Sequence, residues 1–161
     1  MSFEVRRLTS DEWELFRLLR LRSLEDSPTA FGSTLEREQT LPDQEWQHRM
    51  LAPVFVAFGD EGPVGLVGCD LEEDTALVWG MWVVPERRGA GIGLTLLDAA
   101  AEWAARTGAR RVILGVTENN QPAARLYEGF GFRPTGESKP LGSNPSLRKI
   151  EMSLELGAPA S

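Results

Sequence analysis

Apolar and polar positions alternate in some stretches of the chain and recur at helical spacing in others, and the switches between the two mark its elements. "FEVRRL" (Phe3–Leu8) alternates as a half-buried strand does. Ser10 then offers an N-cap to "DEWELFRLLRLRSLE", a run of good helix formers with an acidic start. "DSPTAFGST" breaks that helix, and a second is predicted around "DQEWQHRML", with Asp43 near its start. "VFVAF" (Val54–Phe58) and "PVGLVGCDLE" (Pro63–Glu72) read as strands joined by the turn "GDEG". "TALVWGMWVV" (Thr75–Val84) is a further strand, and Gly80 inside it predicts a bulge or a close backbone approach.

From Leu94 the period becomes 3.6. Leu94, Leu97, Ala101 and Ala104 predict a buried face, Thr95, Asp98, Glu102 and Arg106 an outer one, and Gly108 a stop. "RVILGV" (Arg111–Val116) is apolar enough for a strand covered on both faces. "QPAARLYEGF" reads as a short helix ended by Gly129 or Gly131, and "FRPTGE" and "SLRKIEMSLEL" supply two closing strands. A strand–helix–strand unit among hairpins requires a parallel crossover, so the fold class is mixed α/β.

Composition narrows the field. A chain of 161 residues, 42% hydrophobic and 25% charged, is expected to form one domain over 1–156, with a loose tail over 157–161. The net charge of −7 disfavours nucleic acid as a partner. One cysteine, Cys69, forms no internal disulfide and anchors no cysteine metal cluster, which fits a reducing cytoplasm; no metal site is expected. No apolar run reaches membrane-spanning length, and the N-terminus lacks a signal-peptide layout.

The stretch "VVPERRGAGIGLTLL" carries the chemistry. Gly89, Gly91 and Gly93 stand where a strand gives way to a helix, although each glycine within a helix costs about 1 kcal/mol relative to alanine. Free amides and the positive end of the helix meet there, so the site suits an anion. A P-loop would need Gly-Lys-Ser/Thr, whereas Gly93 precedes Leu94 and Thr95; a dinucleotide fingerprint needs two residues before its third glycine, and "GAGIG" has one.

This stretch resembles the acyl-coenzyme A loop of the GNAT family of N-acetyltransferases, Arg/Gln-x-x-Gly-x-Gly/Ala, in Arg88, Gly91 and Gly93. A second motif follows: "NQPAARLYEGFGF" is similar to the family's Asn-x-x-Ala-x-x-Leu-Tyr-x-x-x-Gly-Phe in Asn120, Ala123, Leu126, Tyr127, Gly131 and Phe132. The resemblance extends from about Phe3 to Leu156. It implies a mostly antiparallel twisted sheet flanked by helices and splayed between its central strands. Acetyl-CoA is the implied co-substrate, its pyrophosphate held by Arg87, Arg88, Gly89, Ala90, Gly91, Ile92 and Gly93. Its arm would lie along the strand at Met81, Trp82, Val83 and Val84, with Asn120, Ala123 and Tyr127 beside it.

The resemblance makes Tyr127, the single tyrosine, the general acid, since a phenol of pKa about 10 stays protonated at neutral pH. Core packing for Tyr127 and helix capping for Asn120 are the plainer readings. For the base that deprotonates the acceptor amine, Glu118 is the first candidate, with Glu72, Glu36 and Glu38 behind it. His48 is expected on the surface and Cys69 in the core. The acceptor pocket is implied at Leu24–Met50 and Gly136–Leu147, where Phe31, Trp46, Glu36, Glu38 and Glu45 suggest an acidic wall suited to a cationic amine. The expected activity is acetyl transfer to a primary amine in a ternary complex, on a monomer or homodimer; a non-catalytic acyl-CoA-binding module and a nucleotide-binding regulator are the alternatives.

Overall fold

Strand β1 (Phe3–Arg7) opens the chain and pairs with β2 (Val54–Gly59), which continues into β3 (Gly62–Glu72) and β4 (Thr75–Val83) as an antiparallel meander. The computed structural model describes residues 2–157, so the expected tail beyond Gly157 lies outside the described residues. Helix α4 (Ile92–Arg106) makes the crossover to β5 (Arg111–Thr117), which runs parallel to β4. After α5 (Gln121–Phe130), β6 (Arg133–Leu141) and β7 (Asn144–Glu155) close a seven-stranded sheet of order β1-β2-β3-β4-β5-β7-β6. The mixed, mostly antiparallel sheet expected from the sequence is the one found.

Helices cover both faces. Helix α1 (Trp13–Asp26) buries Phe16, Leu19 and Leu24, and the Phe16 ring meets Trp46 of α3 (Asp43–Arg49) and Trp79 of β4 edge-on at 5.6 and 5.9 Å. A one-turn helix, α2 (Leu35–Glu38), lies between α1 and α3 and is capped by the Thr34 side chain on Arg37 N–H. On the other face α4 buries Ile92, Leu96, Leu97, Ala100 and Ala104.

Local details differ from expectation. The cap before α1 is Thr9, which with Glu12 forms a capping box over the 3-10 turn Ser10–Glu12, so α1 begins at Trp13. The buried stripe of α4 is rotated from the expected one: Leu94 is exposed and Leu96 and Ala100 are buried. A stripe read on a lone helix has no knowledge of the β2–β3 surface beneath it. Gly131, at φ 123°, ends α5, not Gly129. Strand β6 runs further than the sequence suggests, along the sheet edge, with a register irregularity between Pro134 and Ser138; prolines and bulges are common on edges because no further strand needs their N–H groups.

Candidate active site

Gly80 supplies the bulge that its position predicts. Leu66 pairs with Trp82 and Gly68 with Trp79, so β4 carries one residue more than β3 across this step, and Gly80 takes φ 68°. The extra residue resets the alternation. Trp79 and Trp82, three apart, therefore both face α1: Trp79 against Phe16, and Trp82 donating its indole N–H to Asp26 Oδ2 at 2.9 Å. On the opposite edge, β4 pairs with β5 only from Thr75 to Leu77, opposite Arg111 to Ile113. Beyond that point the central strands separate.

The separation opens a cavity of about 490 Å³, within the range usual for small-ligand sites. Leu77, Val78 and Trp79 line it from β4, Ile113, Leu114 and Gly115 from β5, and Lys139 and Lys149 from the closing hairpin. The unpaired edge of β4 leads along the chain into the glycine loop. Gly89 and Gly91 both adopt φ 84°, with open space where a side chain would sit. No backbone acceptor serves the amides from Gly89 to Leu94 among the described residues; the first satisfied amide is Thr95, bonded to Gly91 O at 3.1 Å. An array of free donors at the N-terminus of a 15-residue helix is a fitting cradle for a pyrophosphate. Gly93 has another role: a Cβ there would come within 3.1 Å of Leu126 Cδ2, so its lack of a side chain lets α5 approach α4.

The two arginines of the loop differ in their surroundings. Arg88 donates from Nη2 to Asp26 Oδ2 at 2.8 Å and from Nε to Val83 O at 3.0 Å. Arg87 folds back on Gly59 and Val64, with Nε and Nη2 buried and unpartnered. Arg88 is thus engaged within the protein, whereas Arg87 has no partner for these two nitrogens among the described residues. Met81 lies beside Gly93, Trp82 and Val84 are buried, and Ala90 is exposed in the loop.

Tyr127 sits on α5 within the core, its ring edge-on to Phe132 at 6.0 Å. Burial pushes its phenol up to about 12. Asn120 caps α5, its Oδ1 accepting from Ala123 N–H at 3.3 Å. Glu118 is exposed at the end of β5, and its Oε1 accepts from Arg148 N–H at 2.9 Å.

The remaining base candidates are displaced by the fold. Glu72 closes the β3–β4 hairpin opposite Thr75, at the end where β4 and β5 are still paired. Glu36 is exposed on α2. Glu38 is buried and held by Arg20, whose Nε and Nη2 donate at 3.2 and 3.1 Å, and by Arg49 Nη1 at 2.8 Å. Burial pushes its carboxyl upward, but the two guanidiniums outweigh that and hold it below the usual range. Trp46 is fully buried, and Glu45, like Glu38, lies near Arg49, at 3.7 Å. His48 is exposed on α3, and Cys69 is buried in β3 with its thiol pushed up to about 12, which leaves it without nucleophilic character.

Sequence reasoning passed over Arg20, Lys139 and Lys149. Gly115, in the middle of an apolar strand, was the available signal: a side chain there would collide with the Lys149 stem.

Residues 11–132 match the model of the Acetyltransferase (GNAT) family. Streptothricin acetyltransferase of Streptomyces lavendulae is 35% identical over 88 residues, 48% of this chain and 43% of that protein. Mycothiol acetyltransferase of Geodermatophilus obscurus is 36% identical over 74 residues, 46% and 21% of the two chains. The chain spans half or less of the length of the curated relatives it matches. Among solved structures, a GNAT acetyltransferase from Streptococcus pneumoniae superposes with TM-score 0.80 at 23% identity, over 97% of this chain and 100% of that one. A Salmonella typhimurium protein solved with its cofactor acetyl-CoA superposes with TM-score 0.77 at 20% identity, over 100% and 98%. The family model spans both motifs, and these structures share the overall fold, so the chain belongs to the GNAT acetyltransferase family.

Proposed function

We propose that this chain transfers an acetyl group from acetyl-CoA to a primary amine by direct attack, with both substrates held at once. The observation that carries the reading is the bare edge of β4 beyond Leu77, bent at Gly80 and leading into the unpartnered amides at the start of α4. Amides from Gly89 to Gly93 hold the pyrophosphate; the edge Met81–Val84 offers backbone groups to the arm; Asn120, Ala123 and Tyr127 border it from α5. Acetyl-CoA supplies an acyl group activated as a thioester.

The chain's own groups manage protons. Glu118, directly or through one water, takes a proton from the acceptor ammonium so that the amine can attack. One C–N bond forms and one C–S bond breaks; of the two protons the ammonium sheds, one is returned to sulfur and the other leaves to solvent. Tyr127 is the donor at sulfur. A thiol of pKa about 8.5 is the stronger acid, so outright transfer from a phenol held at about 12 is uphill by roughly 5 kcal/mol. Tyr127 therefore acts as a hydrogen-bond donor that steadies the leaving sulfur while solvent completes the protonation.

The test is thiol release from acetyl-CoA across a panel of amines, alongside calorimetry of coenzyme A binding. A folded Gly91→Val protein should bind no coenzyme A. Thiol release with no amine, despite tight coenzyme A binding, would leave a binding module in place of an enzyme.

A further inference from the structure

All but two of the 17 basic side chains in this chain are arginines, and the two lysines, Lys139 and Lys149, both line the cavity between β4 and β5. Their situations differ. Lys139 is exposed on β6, whereas Lys149, opposite it in the β6–β7 ladder, is half-buried. Strand β5 stands between β7 and β4 in the sheet, and a Cβ on Gly115 of β5 would overlap the Lys149 stem. The stem thus lies over β5 in the space that Gly115 leaves bare, and carries the amine from β7 toward β4. Glu137 and Glu151 balance the two lysines in the lining, but no carboxylate is within ion-pair distance of Lys149 among the described residues. Glu151 instead accepts from Thr135 Oγ1 at 3.1 Å. The arginines stay charged and do not attack carbonyl groups; a lysine amine that loses its proton does.

We propose that Lys149 is a self-acetylation site, which takes the acetyl group of acetyl-CoA onto its own Nζ when no acceptor amine is present. This rests on the acetyl-transfer reading. In that reading the pyrophosphate sits at the amides from Gly89 to Gly93 and the arm returns along β4 from Val84 to Met81. The thioester, at the far end of the arm, then comes to the Gly80 bulge and the cavity wall at Trp79. An amine already standing in that cavity needs no encounter from solution. Its ammonium first sheds a proton to solvent through the open cavity. The Nζ lone pair attacks the thioester carbonyl carbon, a C–N bond forms as the C–S bond breaks, and a second proton passes from nitrogen to sulfur. Burial, then Lys139 and Arg20, holds the Lys149 pKa below its ordinary value, which enlarges the neutral, nucleophilic fraction. The resulting amide also removes one of two like charges that face each other across the β6–β7 ladder.

The experiment has two arms. In the first, the protein is incubated with deuterium-labelled acetyl-CoA and no added amine, and the label on each lysine is read by mass spectrometry of its peptides. Lys149 should carry the label, and Lys139, the internal control in the same cavity, should carry far less. A folded Gly91→Val protein, with its cofactor site blocked, should lose the label. Gly115→Ala keeps the amine but displaces its stem, and should lose it too. The second arm involves no turnover: both lysines are dimethylated with isotope-labelled formaldehyde and their methyl signals followed by NMR, with Lys149→Arg assigning them. The Lys149 signal should shift on addition of coenzyme A, and by more than that of Lys139. Equal label on the two lysines, or label that persists in Gly91→Val or Gly115→Ala, would mean acetylation from solution and overturns the inference, as does a Lys149 signal indifferent to coenzyme A. An unlabelled Lys149 in a protein that acetylates added amines overturns the inference alone; where no amine is acetylated either, the transfer reading falls with it.

Discussion

Arg88 and Asp26, separated by 62 positions, meet at a single oxygen: Arg88 Nη2 donates to Asp26 Oδ2 at 2.8 Å, and Trp82 Nε1 donates to the same atom at 2.9 Å. The end of α1, the strand after the bulge and the glycine loop are thereby tied together. The indole, Ser27 and the guanidinium outweigh the desolvation and hold the Asp26 carboxyl below its ordinary range. The loop arginine of the family motif thus fixes the loop through its side chain.

Asp26→Ala should therefore weaken coenzyme A binding without altering the amides that make the site. A typical hydrogen bond contributes about 1 kcal/mol, so loss of the two gives a rise in Kd of roughly 5- to 30-fold by calorimetry. An unchanged Kd would mean that the glycines alone set the loop.

Glu38 is the charge around which α1, α2 and α3 assemble. Replacing it with Gln leaves Arg20 and Arg49 without their counter-charge, and breaking one side of a buried pair costs about 3 kcal/mol. Its native pKa is depressed, so its stabilisation is complete above the unfolded carboxyl value and is lost as pH falls through the native one. Urea denaturation should show Glu38→Gln well below the parent at pH 7. The gap should narrow at pH 3. A gap independent of pH would assign the loss to packing instead of charge.

Glu38 also marks where the sequence stopped being legible. Element order, the Gly80 bulge, the parallel β4–β5 pair and the bare loop were all readable, because each depends on spacing within a few dozen residues. What α1 and α2 do was not. "LERE" offers Glu36 and Glu38 alike as carboxylates for an acceptor pocket, and only the approach of Arg20, 18 positions earlier, and Arg49, 11 later, turns Glu38 inward. Lys139 and Lys149 illustrate the same point: only the register of the last hairpin sets them opposite one another. Individual charges can be read from composition, but their pairing is a property of tertiary contact.

Tyr127→Phe retains the ring and its edge-on contact with Phe132. Burial is the sole cause of the raised phenol pKa, so the hydroxyl gains little in the resting protein and its loss should leave the melting temperature unchanged or slightly higher. The rate should fall about 10- to 1,000-fold in kcat, with coenzyme A affinity intact. An ordinary tyrosine would lose its proton near pH 10; here the parental rate should hold up through that point and fall only toward 12. A parental rate in the Phe variant would make Tyr127 a core residue and nothing more.

Glu118 can be tested for charge apart from shape, because its geometry is already partly committed. One carboxylate oxygen accepts the Arg148 amide, closing the β5–β7 ladder one step beyond the Thr117–Lys149 pair, and the other oxygen is left for a water or an amine. Glu118→Gln preserves the acceptor for Arg148, so the ladder end should stay closed and the melting temperature should not move. If the carboxylate collects the acceptor's proton, its loss must matter most where few acceptors arrive neutral, at low pH. At high pH the free amine needs no base, and the variant should approach the parent. The measurement is kcat/KM against pH for both proteins with the best amine of the panel. A variant curve lying parallel below the parent across the range would show that Glu118 helps bind the acceptor without taking its proton. Coincident curves would remove Glu118 from the reaction; with Glu38 locked between arginines and Glu72 at the closed end of the sheet, proton removal would then pass to solvent in the open cleft.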